Sequence, residues 1–157
     1  MKDVLYINTP IGNLEIHTNA NFLYHIKFRK TKSPIKNAQK TSLIEKQIRK
    51  EIKQYFNGTR KKFTIPLKLD LPPFYKKVLL EVKKIEYGDT ASYLEIARKA
   101  GNSKAVRAAG TANAKNPIPI IIPCHRIISS NNSLGKYSAG IEKKASLLKH
   151  EGINIFS

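Results

Sequence analysis

The sequence predicts an α+β protein made of two small domains, and three observations lead to this class. Its 157 residues can bury one or two small hydrophobic cores. Residues 3–29 alternate apolar and polar types as half-buried strands do, whereas later segments repeat apolar residues at helical spacing. Between these parts stands Asp70-Leu71-Pro72-Pro73, whose paired prolines interrupt regular structure. We therefore expect an N-terminal domain over residues 1–70 and a C-terminal domain over residues 71–157.

The N-terminal part is predicted to begin with a small antiparallel β-meander. Two short strands are expected at about 3–8 and 13–18, and the turn Asn19-Ala20-Asn21 leads into a third strand. That strand has four large apolar residues at alternate positions, which places them on one face: Phe22, Tyr24, Ile26 and Phe28. A basic linker, Lys30–Lys40, follows the meander.

One helix completes the predicted N-terminal domain. Ser42 and Glu45 stand at the spacing of a capping box, and Asn57-Gly58 supplies a stop signal. Between them an apolar stripe repeats every four residues, at Ile44, Ile48, Ile52 and Phe56. A further strand is possible over Phe63–Leu67.

The C-terminal part is predicted to be mostly helical and to contain a helix-turn-helix. Pro73 can begin a helix whose apolar stripe is Phe74, Val78, Val82 and Ile85. A second capping box at Ser92-Tyr93-Leu94-Glu95 opens a short helix that Gly101 ends. Asn102 or Ser103 then caps a helix over about 103–114, and the two short helices form the motif. The last helix is expected at about 141–150, with Ile141, Ala145 and Leu148 on one face.

Charge and composition favour a polyanionic partner. The chain has 29 Lys and Arg against 11 Asp and Glu, a formal charge of +18, which attracts nucleic acid. The second helix of the motif is rich in Ala and Gly, so Lys104, Arg107 and Lys115 project from a slim rod. Two simpler explanations stay open at this point: compositional drift toward lysine, and an ordinary packed helix with a solvated basic face.

Other classes are disfavoured by the same composition. No run approaches the ~18 apolar residues of a membrane helix, and the first 20 residues lack the unbroken apolar stretch of a signal peptide. A single cysteine excludes an intramolecular disulfide and the usual structural zinc spacings. We therefore expect an intracellular, cytoplasmic protein with no membrane association, no metal and no cofactor.

That single cysteine, Cys124, is the candidate nucleophile. It follows the proline-containing run Asn116–Pro123, which is predicted to be extended over Asn116–Ile122. His125 and Arg126 come directly after it, and positive charge beside a thiol lowers the thiol pKa. A loop at 129–139 is placed to close over a substrate. The alternative is that Cys124 is simply a small buried apolar residue, as most lone cysteines are.

The adjacency of Cys124 and His125 limits how they cooperate. On an extended chain successive side chains point to opposite faces, so either the backbone turns there or a water passes the proton. A histidine base also needs a carboxylate to fix its tautomer, and Glu142 and Glu151 are the downstream candidates. A surface position is the simpler expectation for either glutamate.

Pro123-Cys124-His125-Arg126, preceded by Asn116-Pro117-Ile118-Pro119, resembles the active-site motif of the O6-alkylguanine-DNA alkyltransferases, which repair DNA by direct reversal. The similarity runs from Tyr87 to Gly152 and includes five further motifs: Ser92-Tyr93, Gly101-Asn102, Arg107-Ala108-Ala109-Gly110, Tyr137-Ser138-Ala139-Gly140 and His150-Glu151-Gly152. Residues 1–70 fit the family's N-terminal domain by size and element order alone. The resemblance implies a ribonuclease H-like N-terminal domain and a winged-helix-like C-terminal domain.

The resemblance also implies the roles of individual residues. Cys124 would accept the alkyl group irreversibly, and a water, His125 and Glu151 would relay its proton while Asn116 orders the site. The target base would be flipped out of duplex DNA, with Arg107 filling the gap. The substrate would be bound by Tyr93, Ile127, Tyr137 and Ser138. DNA would be bound through its minor groove by Ser92, Tyr93, Lys104, Arg107, Asn113 and Lys115. A monomer is expected.

Two other functions remain open on the sequence. One is a non-catalytic DNA-binding protein, either a helix-turn-helix regulator or a lesion-sensing relative. The other is a Cys-His hydrolase or acyltransferase, which would need an oxyanion hole and would turn over many times.

The chain has no cysteines for a separate phosphotriester-repair domain or for the N-terminal zinc site of some family members.

Overall fold

The computed structural model describes residues 2–30, 42–131 and 133–155. Most of the basic linker and Phe156 of the C-terminal tail lie outside these ranges. The chain divides into two compact units, residues 1–69 and 70–157. Together they hold a small antiparallel sheet and five α-helices among the described residues, so the architecture is mixed α/β.

The first unit begins with the predicted meander. Strands β1 (Asp3–Thr9), β2 (Gly12–Thr18) and β3 (Leu23–Arg29) pair antiparallel in the order β1-β2-β3. The Asn19 side chain accepts hydrogen bonds from the amides of Asn21 and Phe22 and so closes the turn. The predicted face of β3 is wrong at its start, because the register shifts between His17 and Thr18. Leu23 is consequently buried, whereas Phe22 is exposed.

Helix α1 (Leu43–Phe56) packs one face into the core of this unit. Its predicted N-cap is confirmed, since Ser42 Oγ accepts from the Glu45 amide at 3.3 Å. The buried stripe includes Ile44, Ile48 and Ile52 but ends on Tyr55 rather than Phe56. No strand forms over 63–67 beyond an isolated parallel bridge between Leu23 and Leu67.

The second unit has the predicted helices with shifted boundaries. Its helices are α2 (Pro73–Lys83), α3 (Tyr93–Lys99), α4 (Val106–Ala114) and α5 (Ile141–His150). Ser92 caps α3 as predicted, accepting from the Glu95 amide at 3.1 Å. Helix α4 begins at Val106 and not near 103, because Asn102 Oδ1 accepts from the Lys104 amide and holds residues 102–104 in a turn. Lys104 therefore precedes the helix.

Residues 116–122 are not extended as predicted. The Ile122 amide donates to the Ile118 carbonyl at 3.0 Å, so the segment folds into a compact turn. Ile120 has a φ of 74°, a left-handed conformation that is uncommon for a β-branched residue. Prolines exclude a helix here but do not keep the chain straight, and burial of the four isoleucines holds the turn, namely Ile118, Ile120, Ile121 and Ile122.

The last helix buries part of the predicted face. Leu148 is buried and Ala145 packs beside it, whereas Ile141 is exposed and the buried face also includes Lys144 and Leu147. Leu148 belongs to a small cluster with Ile128 and Leu134. None of the helices in the described part of the chain is long and apolar enough to cross a membrane.

Candidate active site

Cys124 lies in a 3₁₀ turn formed by Cys124–Arg126. Pro123 precedes it with φ −80° and ψ 65°, and the Cys124 amide donates to the Ile122 carbonyl at 2.7 Å, which is an inverse γ-turn. The chain then enters strand β5 (Ile127–Ile128), which pairs in parallel with β4 (Ala91–Ser92). The backbone therefore turns at Cys124 and His125 instead of running extended.

Two asparagines fix the backbone around the sulfur. Asn116 Nδ2 donates to the Ile122 carbonyl at 2.9 Å, and its Oδ1 accepts from the Ile118 amide at 3.0 Å. Asn113 Nδ2 donates to the Cys124 carbonyl at 3.3 Å. Asn113 is buried, so the structure places it under the turn rather than on the DNA-facing surface that the resemblance implies.

Glu151 is the carboxylate that meets His125. Glu151 Oε2 lies 2.7 Å from His125 Nε2, and Arg126 holds both carboxylate oxygens, with Nε to Oε1 at 2.7 Å and Nη2 to Oε2 at 3.0 Å. Burial alone would raise the pKa of Glu151, but the hydrogen bonds from His125 and Arg126 prevail and lower it to about 2. Glu151 is thus ionised, whereas Glu142 is exposed at the start of α5.

An ionised Glu151 determines the tautomer of His125. A carboxylate accepts hydrogen bonds but donates none, so Nε2 must carry the proton in the His125–Glu151 bond. Burial lowers the pKa of His125, although Glu151 opposes the shift, and the ring is neutral. Its other nitrogen, Nδ1, is then a bare acceptor, and it is buried without a hydrogen-bond partner among the described residues. Nδ1 is the free base of the site.

The Cys124 thiol does not have the low pKa that its sequence neighbours predict. Burial raises the pKa of Cys124, and this outweighs hydrogen bonds from Asn116 and Tyr137 and the charge of Lys144. The expectation was wrong because Arg126 binds Glu151 and Ile85 instead of the sulfur, and because His125 is neutral. A buried thiol of this kind needs a base when it reacts.

Lys144 belongs to the site, although sequence reasoning missed it. Its side chain is fully buried, and Nζ donates to the carbonyls of Ile127 at 2.5 Å and Lys136 at 3.2 Å. Burial lowers its pKa to about 8, while Cys124 acts in the opposite direction. The available signal was its spacing: Lys144 stands three and four residues before Leu147 and Leu148, on the apolar face of α5.

Tyr93 and Tyr137 complete the surroundings of the sulfur. Tyr93 begins α3, and its ring lies against Gly110 of α4, where an added Cβ would be 3.7 Å from the ring. Burial and the neighbouring Cys124 raise the pKa of Tyr93, so its hydroxyl stays protonated. Tyr137, from the 129–139 loop, acts on the thiol in the direction that lowers the pKa of Cys124.

The remaining predicted residues are a buried strand residue, a helix cap and four surface side chains. Ile127 is buried in β5, and Ser92 is occupied as the cap of α3. Four others are exposed: Ser138, Lys104, Arg107 and Lys115. In the described ranges no group of three or more His, Cys, Asp or Glu side chains is placed to hold a metal ion.

Both units of this chain are similar to one family of known proteins. Residues 4–69 match the ribonuclease-like domain of 6-O-methylguanine DNA methyltransferases, and residues 73–153 match their DNA binding domain. A methylated-DNA–protein-cysteine methyltransferase of Methanosarcina acetivorans is 39% identical over 147 residues, which is 92% of this chain and 94% of that protein. The crystal structure of a Mycobacterium tuberculosis O6-methylguanine methyltransferase matches with a TM-score of 0.84 at 33% identity, covering 96% and 93% of the chains. The crystal structure of M. tuberculosis OGT in complex with DNA matches with a TM-score of 0.83 at 34% identity, covering 93% of this chain and 90% of that chain.

Proposed function

Because this chain belongs to the 6-O-methylguanine DNA methyltransferase family, we propose that it repairs O6-alkylguanine in DNA by moving the alkyl group to Cys124. The observation that carries this proposal is the unpartnered Nδ1 of His125, buried beside a protonated thiol. The arrangement supplies a nucleophile, a base for its proton and an ionised carboxylate that orients the base.

The proposed transfer proceeds as one displacement at carbon. His125 Nδ1 takes the Sγ proton, through a bridging water, and the histidine cation that forms is stabilised by Glu151. The sulfur attacks the alkyl carbon as the bond from that carbon to guanine O6 breaks. Tyr93, whose raised pKa keeps its hydroxyl protonated, donates a proton to the departing guanine, and the tyrosinate regains a proton that the histidine cation releases to solvent. The thioether is stable, so each protein molecule acts once.

We assign substrate and DNA contacts to the same unit. Tyr137 and the exposed Ser138 are neighbours on the 129–139 loop and are proposed to contact the base. Arg107 and Lys115 are exposed on and after α4, and Lys104 lies in the preceding turn. These cations are proposed to bind the minor groove, with Arg107 occupying the space of a flipped base.

We extend the proposal to the folds of the two domains, the oligomeric state and the cellular location. We infer a ribonuclease H-like N-terminal domain, residues 1–70, that supports a winged-helix-like DNA-binding and alkyl-acceptor domain, residues 71–157. The family description of a ribonuclease-like domain and the helix-turn-helix of α3 and α4 support these assignments. A monomeric, cytoplasmic protein fits the same interpretation.

The decisive experiment is mass spectrometry after reaction with duplex DNA that contains O6-methylguanine. We expect one added methyl group on the Cys124 peptide, at most one per protein molecule, and none in Cys124→Ser. Tight binding to the lesion with an unmodified Cys124 would instead indicate a lesion sensor. Repeated turnover of an ester substrate would indicate a hydrolase.

A further inference from the structure

Helix α1 exposes a row of cations on the side opposite the core. The α1 basic stripe consists of Lys46, Arg49, Lys50 and Lys53, all exposed. At about 100° per residue these four positions lie within an arc of about 100°, centred opposite the buried arc of Ile44, Ile48 and Tyr55. The stripe is therefore the whole outer surface of the middle of this helix.

The unit that carries the stripe is also the more basic of the two. Residues 1–69 have 15 Lys and Arg against 4 Asp and Glu, a balance of +11, whereas residues 70–157 have 14 against 7, a balance of +7. The site around Cys124 lies wholly in the second range. The larger share of the positive charge is thus in the part of the chain to which the proposed reaction assigns only support.

Nothing among the described residues neutralises the stripe. The acidic residues of α1, Glu45 and Glu51, are both buried. Glu51 Oε1 accepts from the Thr64 amide at 2.7 Å and pairs with Arg60 at 3.4 Å. Within the described ranges no ion pair includes a stripe residue, and Arg49 donates only to the backbone carbonyl of Tyr6.

We propose that the α1 basic stripe is a second DNA-binding surface, which contacts the phosphates of duplex DNA independently of the site at Cys124. Lys46 and Lys53 are seven residues apart, which is about 10 Å along a helix. Phosphates follow one another every ~3.4 Å along one strand, so the stripe matches about three of them. The inference goes beyond the proposed repair reaction and does not depend on it.

The positive stripe is complementary to either DNA or an anionic membrane surface, and the lack of a free apolar face on α1 favours DNA. A helix that binds lipid lays an apolar face into the acyl boundary, but the apolar face of α1 is buried in its own core. Leu43 is the one exposed large apolar residue in the helix, at 86% exposure. Binding at the stripe is therefore expected to be electrostatic, without sequence preference and strongly dependent on salt.

The test compares two full-length variants with equal net charge on an undamaged duplex. K46Q/K50Q/K53Q removes three stripe lysines, and K2Q/K27Q/K68Q removes three exposed lysines of the same unit that lie outside it. Lys and Gln have similar helix propensity, so α1 is expected to persist, as far-UV circular dichroism will report. The readout is fluorescence anisotropy over a series of salt concentrations.

Loss of three phosphate contacts lowers the slope of log affinity against log salt by about 2.7. The affinity ratio of wild type to stripe variant then falls about forty-fold between roughly 50 and 200 mM salt. The control variant is expected to keep most of the wild-type slope. An unchanged slope in the stripe variant, or equal losses in both variants, overturns the proposal. Loss of binding to phosphatidylserine vesicles with an unchanged DNA slope would reassign the stripe to membranes.

Reaction with free O6-benzylguanine separates this inference from the proposed function. Both variants are expected to alkylate Cys124 at the wild-type rate, because the stripe lies outside the alkyl-acceptor site. If wild type fails to react while the salt slopes differ as stated, the repair proposal fails and the DNA-binding surface stands.

Discussion

Glu151→Gln tests the buried contact on which the candidate site depends. The substitution keeps the size of the side chain and an acceptor for His125 Nε2, but it removes the charge that Arg126 pairs with. The pKa of Glu151 falls from 4.5 to about 2 in the folded protein, and each unit is worth 1.36 kcal/mol, so the charged form contributes about 3 kcal/mol. We expect Glu151→Gln to lower the free energy of unfolding by about that amount at neutral pH.

The pH dependence of the difference in unfolding free energy between wild type and Glu151→Gln is a more specific test than its size at neutral pH. Because the folded pKa is depressed, this stabilisation is complete above about pH 4.5 and is lost as the pH falls toward 2. Urea unfolding at several pH values should therefore show wild type converging on Glu151→Gln in acid. Glu86→Gln, an exposed carboxylate of the same unit, is the control and should change little. Equal stability of wild type and Glu151→Gln at pH 7, or a difference that does not narrow in acid, would refute the reasoning.

Two further predictions concern other parts of the site. Lys144→Met removes a buried cation near the sulfur, so alkylation of Cys124 by iodoacetamide should slow below about pH 8, where Lys144 is charged, and the difference from wild type should narrow at higher pH. Exposed Lys149→Met serves as its control, and an unchanged rate below about pH 8 in Lys144→Met would show that the cation does not act on the thiol. Arg107→Ala should slow methyl transfer from duplex DNA much more than attack on free O6-benzylguanine, because flipping is needed only in the duplex. Exposed Arg98→Ala is the matched change, and equal losses on both substrates would contradict the role of Arg107 in flipping.

Local signals in the sequence were accurate where the interaction is itself local. Ser42 and Ser92 cap α1 and α3 as the capping-box spacing predicts, and the Asn19 side chain closes the predicted turn. Each of these bonds joins groups two or three residues apart, so the residues themselves are enough to specify it.

Predictions failed where distant parts of the chain decide the outcome. Leu23 is buried because a register shift in the sheet turns it inward, and Tyr55 takes the core position predicted for Phe56. The prolines of 116–123 exclude a helix, yet the compact turn depends on burial of its isoleucines against the rest of the unit. None of these effects is visible within a short window of sequence.

The sequence by itself limited the candidate nucleophile to Cys124, the only thiol, and it narrowed the carboxylate partner to Glu142 or Glu151. The tertiary structure decided the state of these groups. The fold brings Glu151 to His125 and Arg126, and this fixes the proton of His125 on Nε2. Burial keeps the Cys124 thiol protonated and lowers the pKa of the neighbouring Lys144. The physical reason is that protonation depends on desolvation and on charges within a few ångströms, and these are set by segments far apart in the chain.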